Sequence, residues 1–200
     1  MTRAGAGRGH NGGPTVEPAS AWRRYCWQAA RAALLPKLPI EIVRLQVRRA
    51  AEIGLDYRTY AGVRATTGHD LVAFLFSTNA LRLLRDGDRL AAGDAEKLAG
   101  LRHIRRLVAT QPPLDPGRIR RALEGQGVAV DAAARAPGLK DGWGETRAAL
   151  AVLLAEIRAP ADRVLLVGET ALEREWVGAA RLAGFLPGDR YFGRPGTVRG

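Results

Sequence analysis

The chain has 200 residues, 46% of them apolar, and 31 basic against 20 acidic side chains give it a formal net charge of +11. That size and apolar content suit one core-bearing domain with a small appendage, and they exclude global disorder, collagen and fibrous coiled coil. The longest wholly apolar run, Ala148–Ala155, is too short to span a bilayer, and the single Cys26 excludes a disulfide scaffold or a cysteine-built zinc site.

The basic side chains are almost all arginine; only Lys37, Lys97 and Lys140 are lysine. They are unevenly spread. Residues 21–68 hold nine basic and three acidic side chains, more than half of the net excess in under a quarter of the chain. A GC-rich coding bias raises arginine, alanine and glycine everywhere, but it does not concentrate charge.

Residues 1–20 are glycine-rich and nearly free of large apolar side chains, which predicts a disordered tail. No apolar core of a secretory signal is present there, and with one thiol the expected home is the cytoplasm. A helix is predicted over Ala21–Leu35, with Trp22, Tyr25, Cys26, Ala29, Ala30 and Ala33 on one face and Pro36 and Pro39 as its stop. A second helix, Glu41–Ile53, is expected to turn Ile42, Val43, Leu45 and Val47 inward and to end at Gly54. Asp56 caps a third, Tyr57–Thr67, closed by Gly68.

The pattern then changes. Leu71–Phe76 reads as a buried strand feeding Ser77-Thr78-Asn79 and a short helix to Arg85, although one helix over Asp70–Arg85 fits the same period. Asp94–Thr110 reads as an amphipathic helix with Leu98, Leu101, Ile104, Leu107 and Val108 inward. Asp115-Pro116 starts another that ends at Gly125. Val128–Val130 is a candidate short strand, and Ala132–Gly144 a loop containing Trp143. Glu145–Arg158 is helical, and Arg163–Val167 is a second apolar strand. Thr170 caps a helix to Ala183, with Trp176 in the core and Glu173, Arg174 and Glu175 on a solvated face. Phe185–Gly200 is expected along the surface.

Helices alternating with short apolar strands imply an α/β fold with a small, mostly parallel sheet. Its strands fall near residues 71–76 and 163–167, with 128–130 a further candidate, after an all-helical basic segment. The domain reading is a tail over 1–20, the basic helical segment 21–68, an α/β domain 69–186 and a C-terminal surface tail 187–200.

Two constellations carry chemistry. The first is a helix-turn-helix candidate over residues 41–67. Ala50 is the small residue at the helix crossing, Gly54 lies in the turn, and Ile53, Leu55, Tyr60 and Val63 lock the second helix. Arg49 and the bulky Tyr60 depart from the usual aliphatic pattern. In this reading Arg58, Thr59 and Arg64 meet base edges or phosphates, while Arg23, Arg24, Arg31, Arg44 and Arg48 hold the nucleic-acid backbone. The expected role is a nucleic-acid-binding regulator or accessory factor, most simply for DNA, rather than a catalyst. An acidic protein partner satisfies the same arginine face.

The second lies at the strand ends. Ligands of open α/β sheets sit beyond the carboxyl ends of the strands. If the two apolar strands are neighbours, Ser77, Thr78 and Asn79 converge with Gly168, Glu169 and Thr170 on one rim. There they would hold a phosphate or carboxylate, with Glu169 as base or metal ligand. The same residues are also what helix capping and a tight turn demand. Neither a Walker loop nor a G-x-G-x-x-G fingerprint nor a G-x-S-x-G elbow is present, so no nucleotide cofactor is expected. His10, His69 and His103 lack a second ligand at helical spacing, so neither is a metal. No membrane partner is expected.

Overall fold

The computed structural model describes residues 38–194. The expected tail, the helix over Ala21–Leu35 and the last six residues lie outside the described residues. Seven α-helices and five strands alternate after an initial helix pair: α1 (Ile40–Glu52), α2 (Tyr57–Thr67), β1 (Ala73–Ser77), α3 (Ala92–Ala99), β2 (Arg105–Thr110), α4 (Pro116–Glu124), β3 (Ala132–Arg135), α5 (Trp143–Glu156), β4 (Val164–Gly168), α6 (Ala171–Ala180), β5 (Gly184–Pro187) and α7 (Gly188–Phe192). All five strands are parallel, in the order β3-β2-β1-β4-β5. The chain is therefore an α/β protein with a small parallel sheet.

Strand side chains alternate between faces, and the two faces bury different helices. Phe74, Phe76, Val108, Leu165, Val167 and Leu186 form one apolar cluster with Ala50, Ile53, Leu55, Tyr60, Leu98, Ile119, Leu123 and Tyr191. Thus α1, α2, α3, α4 and α7 lie on that side. Ala73, Leu75, Leu107, Ala109, Val164 and Leu166 pack on the other with Leu150 and Leu153 of α5 and Trp176 of α6. Both central strands are buried along their whole length, which is why they read as unbroken apolar runs.

Several elements differ from expectation. The stretch Asp94–Thr110 is not one helix: α3 stops at Gly100 and Arg105–Thr110 is the second strand. Its inward residues are buried as expected, because a short apolar run satisfies either period. The third strand falls at Ala132–Arg135, inside the expected loop, while Val128 and Val130 are buried just before it. Three alanines have little β-propensity, so pairing with β2 rather than local preference decides this strand. No short helix follows Ser77; residues 78–91 form turns and loop. Phe185–Gly200 is not all surface, since it supplies β5, α7 and the buried Leu186 and Tyr191. Trp143 opens α5 instead of lying in a loop, and its ring rests against Gly178 of α6.

The helix pair joins the sheet through a polar anchor. Arg49 Nε donates to Asp70 Oδ2 at 3.0 Å, and its Nη2 donates to the carbonyls of Leu71 at 3.0 Å and His103 at 3.1 Å. Tyr60 Oη donates to the other oxygen of Asp70 at 2.8 Å. Gly54, at φ 68°, makes the turn between α1 and α2 and lies so close to Leu101 that a Cβ there would clash at 2.9 Å.

Candidate functional site

The order β3-β2-β1-β4-β5 reverses direction between β1 and β4. Successive connections run from β1 toward β3 on one side and from β4 to β5 on the other. Open α/β sheets have their crevice at such a switch point, beyond the carboxyl ends of the two strands. Phe76 pairs with Val167, so the turns after Ser77 and Gly168 stand side by side.

Glu173 holds these turns together. Its side chain reaches back from the first turn of α6 and is fully buried, not solvated as the charged Arg174 and Glu175 beside it suggested. One oxygen accepts from the backbone amides of Glu169 at 2.6 Å and Thr170 at 2.8 Å. The other accepts from Asn79 Nδ2 at 2.9 Å and lies 3.4 Å from Gln111 Nε2. One carboxylate thereby links the ends of β1, β2 and β4. Thr170 completes a reciprocal capping box by accepting from the Glu173 amide.

The strand-end residues divide into two groups. Ser77 and Thr78 are fully buried and structure the turns: Ser77 Oγ accepts from the Ala80 amide and Thr78 Oγ1 from the Gln111 amide. Neither hydroxyl reaches the crevice surface. Gly168 is required by packing rather than by turn geometry, because a Cβ there would meet the Phe185 ring at 2.6 Å and Glu173 at 3.2 Å. Asn79, Glu169 and Thr170 are half-buried at the rim.

Glu169 stands apart from the other two rim residues. Its Oε2 is buried without a hydrogen-bond partner and lies beside Gly188, where a Cβ would come within 3.1 Å of it. Burial, then the charges of Asp189 and Glu173, push its carboxyl above the usual glutamate range; Arg82 and Arg194 oppose that shift. Both guanidinium groups are engaged. Arg82 donates to Asp189 at 2.9 Å. Arg194 pairs with Asp94, donates to the Ala80 carbonyl at 2.9 Å and stacks on Phe192. A groove of about 430 Å³ runs beside them, lined by Leu81, Arg82, Arg89, Ala91, Asp94 and Arg194.

The arginine set is arranged differently. Arg44, Arg48 and Arg58 are exposed and have no hydrogen-bond or ion-pair partner among the described residues. Arg64 lies back along α2, 3.5 Å from Tyr60 Oη. The Thr59 hydroxyl donates to the capping carboxylate of Asp56 at 2.6 Å and accepts from Arg190 at 2.9 Å. These bonds hold the Asp56 carboxyl below its usual range and set a carboxylate at the amino end of α2. Arg23, Arg24 and Arg31 lie outside the described residues. Arg82, Asp189 and Arg194 were missed in the sequence because only the return of the C-terminal segment over β1 brings them to the crevice.

Among the described residues, no group of three or more His, Cys, Asp or Glu side chains is placed to hold a metal ion, and no helix is long and apolar enough to cross a membrane. No family model and no curated protein matches the chain. It is similar to a solved structure of an uncharacterized protein from Corynebacterium glutamicum ATCC 13032 Kitasato. That similarity has 20% sequence identity and a TM-score of 0.37, and it covers 64% of this chain and 99% of that one.

Two outcomes follow from this geometry. Replacing Glu173 with alanine strands several buried donors at once and should lower unfolding free energy by about 2–4 kcal/mol in urea titrations. Glu169 works in the opposite sense. Because its folded-state pKa is raised above the ordinary 4.5, the native state binds the proton more tightly, and stability falls as pH rises from that value through the folded pKa. Urea midpoints measured from about pH 4 to about pH 8 should therefore show Glu169→Gln gaining on the wild type as pH rises, then levelling off. A constant difference would remove the shift.

Proposed function

We propose that this protein binds a small polar molecule in the switch-point crevice and exchanges a proton with it through Glu169. One observation carries the reading: a half-buried carboxyl with an unpaired oxygen, displaced upward in pKa, stands at the place where sheets of this topology receive ligands. With Glu169 protonated, the pairs Arg82–Asp189 and Arg194–Asp94 balance one another. The rim then offers a proton donor rather than a strong net charge. Asn79 and Thr170 are the other half-buried groups able to orient a ligand there. A carboxyl that keeps its proton to higher pH than an ordinary glutamate suits general acid–base work. A thermal-shift panel of sugars, nucleosides, sugar phosphates and carboxylic acids tests this. At least one compound should raise the wild-type melting temperature and lose that effect with Glu169→Gln. If every stabilising compound acts equally on both proteins, the crevice is not the site.

A second reading, binding of DNA through a helix-turn-helix, is favoured by the exposed and unpartnered Arg44 and Arg58. Of its packing residues, Ala50, Ile53, Leu55 and Tyr60 are buried and Val63 is half-buried. Against it, Asp56 and Arg190 occupy the amino end of α2, where base contacts would begin. Each phosphate contact contributes about −0.9 to the log–log salt slope of duplex affinity, so Arg58→Ala should flatten that slope by about one. Affinity indifferent to salt sinks this reading.

A further inference from the structure

Helix α1 departs from the rest of the surface. Leu38, just before it, and Ile40, Ile42, Leu45 and Val47 within it are 39–58% exposed and make up five of the nine exposed large apolar side chains among the described residues. Of these, Ile42, Leu45 and Val47 were expected to point inward. Instead only Ala50 of this helix is buried, and Arg49 ties its far end to Asp70. An apolar concentration of this kind on a short helix marks an interaction surface.

We propose that α1 is a self-association surface, packing antiparallel against α1 of a second copy about a twofold axis. Ile42 and Leu45 are three residues apart, a short stripe along one side of the helix. Glu41 and Arg48 stand seven residues apart along the same edge of that stripe. Neither has a hydrogen-bond or ion-pair partner among the described residues. Parallel packing would set like charge beside like charge. Antiparallel packing brings Glu41 of each copy beside Arg48 of the other, so the twofold supplies two ion pairs from two otherwise unmatched groups. The arrangement is self-complementary and closes at two copies. The stripe is also presented rigidly, because Arg49 and Ile53 fix the far end of the helix to the sheet.

Two turns of helix make a small interface, so the dimer should be reversible. Sedimentation equilibrium of the full chain at about 2 µM and about 200 µM should show the mass rising toward that of two copies. Ile42→Asp combined with Leu45→Asp should give a monomer at both concentrations with an unchanged circular dichroism spectrum, since both side chains are exposed. Glu41→Arg or Arg48→Glu alone should weaken association about tenfold by setting like charges together, and the two combined should restore it. A wild-type chain that stays monomeric at both concentrations overturns the proposal, whether another segment or another partner covers the stripe. So does a dimer that survives the double aspartate variant. Failure of the combined charge exchange to recover association overturns the antiparallel arrangement.

Discussion

The strand-end rim depends on a single buried carboxylate. Glu173 is fully enclosed, and its two oxygens gather donors from the ends of three strands. Burying an ion costs several kcal/mol unless each lone pair is met, and here amides and side-chain NH groups meet them with no cationic partner among the described residues. The consequence is positional. Asn79, Gln111 and Glu169 arise from three different connections, yet one acceptor sets their relative placement. A site built this way has its supporting bonds in place before any ligand arrives.

A second polar centre does comparable work for the helix pair. Asp70 receives Arg49 from α1 and Tyr60 from α2 immediately before β1 begins. Arg49, which fits poorly as a helix-turn-helix core residue, is thereby explained: its guanidinium grips the main chain entering the sheet rather than a neighbouring helix. The charge that makes the early segment so basic is divided accordingly. Arg49 is committed to architecture, Arg64 lies on its own helix, and Arg44, Arg48 and Arg58 face outward.

What could be read from the sequence follows from where information is local. The two central strands were legible as apolar runs because both of their faces are covered. Their adjacency was the condition for a shared rim, and it holds. Edge strands were not legible. Ala132–Arg135 and Gly184–Pro187 have weak intrinsic preference and exist because a neighbour pairs with them. Glu173 escaped notice for a similar reason: next to Arg174 and Glu175 it looks like a polar face, and only the capping geometry of Thr170 turns it inward. The inward turn assigned to Ile42, Leu45 and Val47 assumed that an apolar stripe must find its cover within the same core.

The last described residue bears on how the molecule comes into being. Arg194 closes over the Ala80 carbonyl and Asp94, while β4 inserts beside a strand made ninety residues earlier. On a ribosome the loop after β1 therefore waits, without its clasp, until Arg194 is made 114 residues after Ala80. Removing Arg194 would unfasten that loop from both partners.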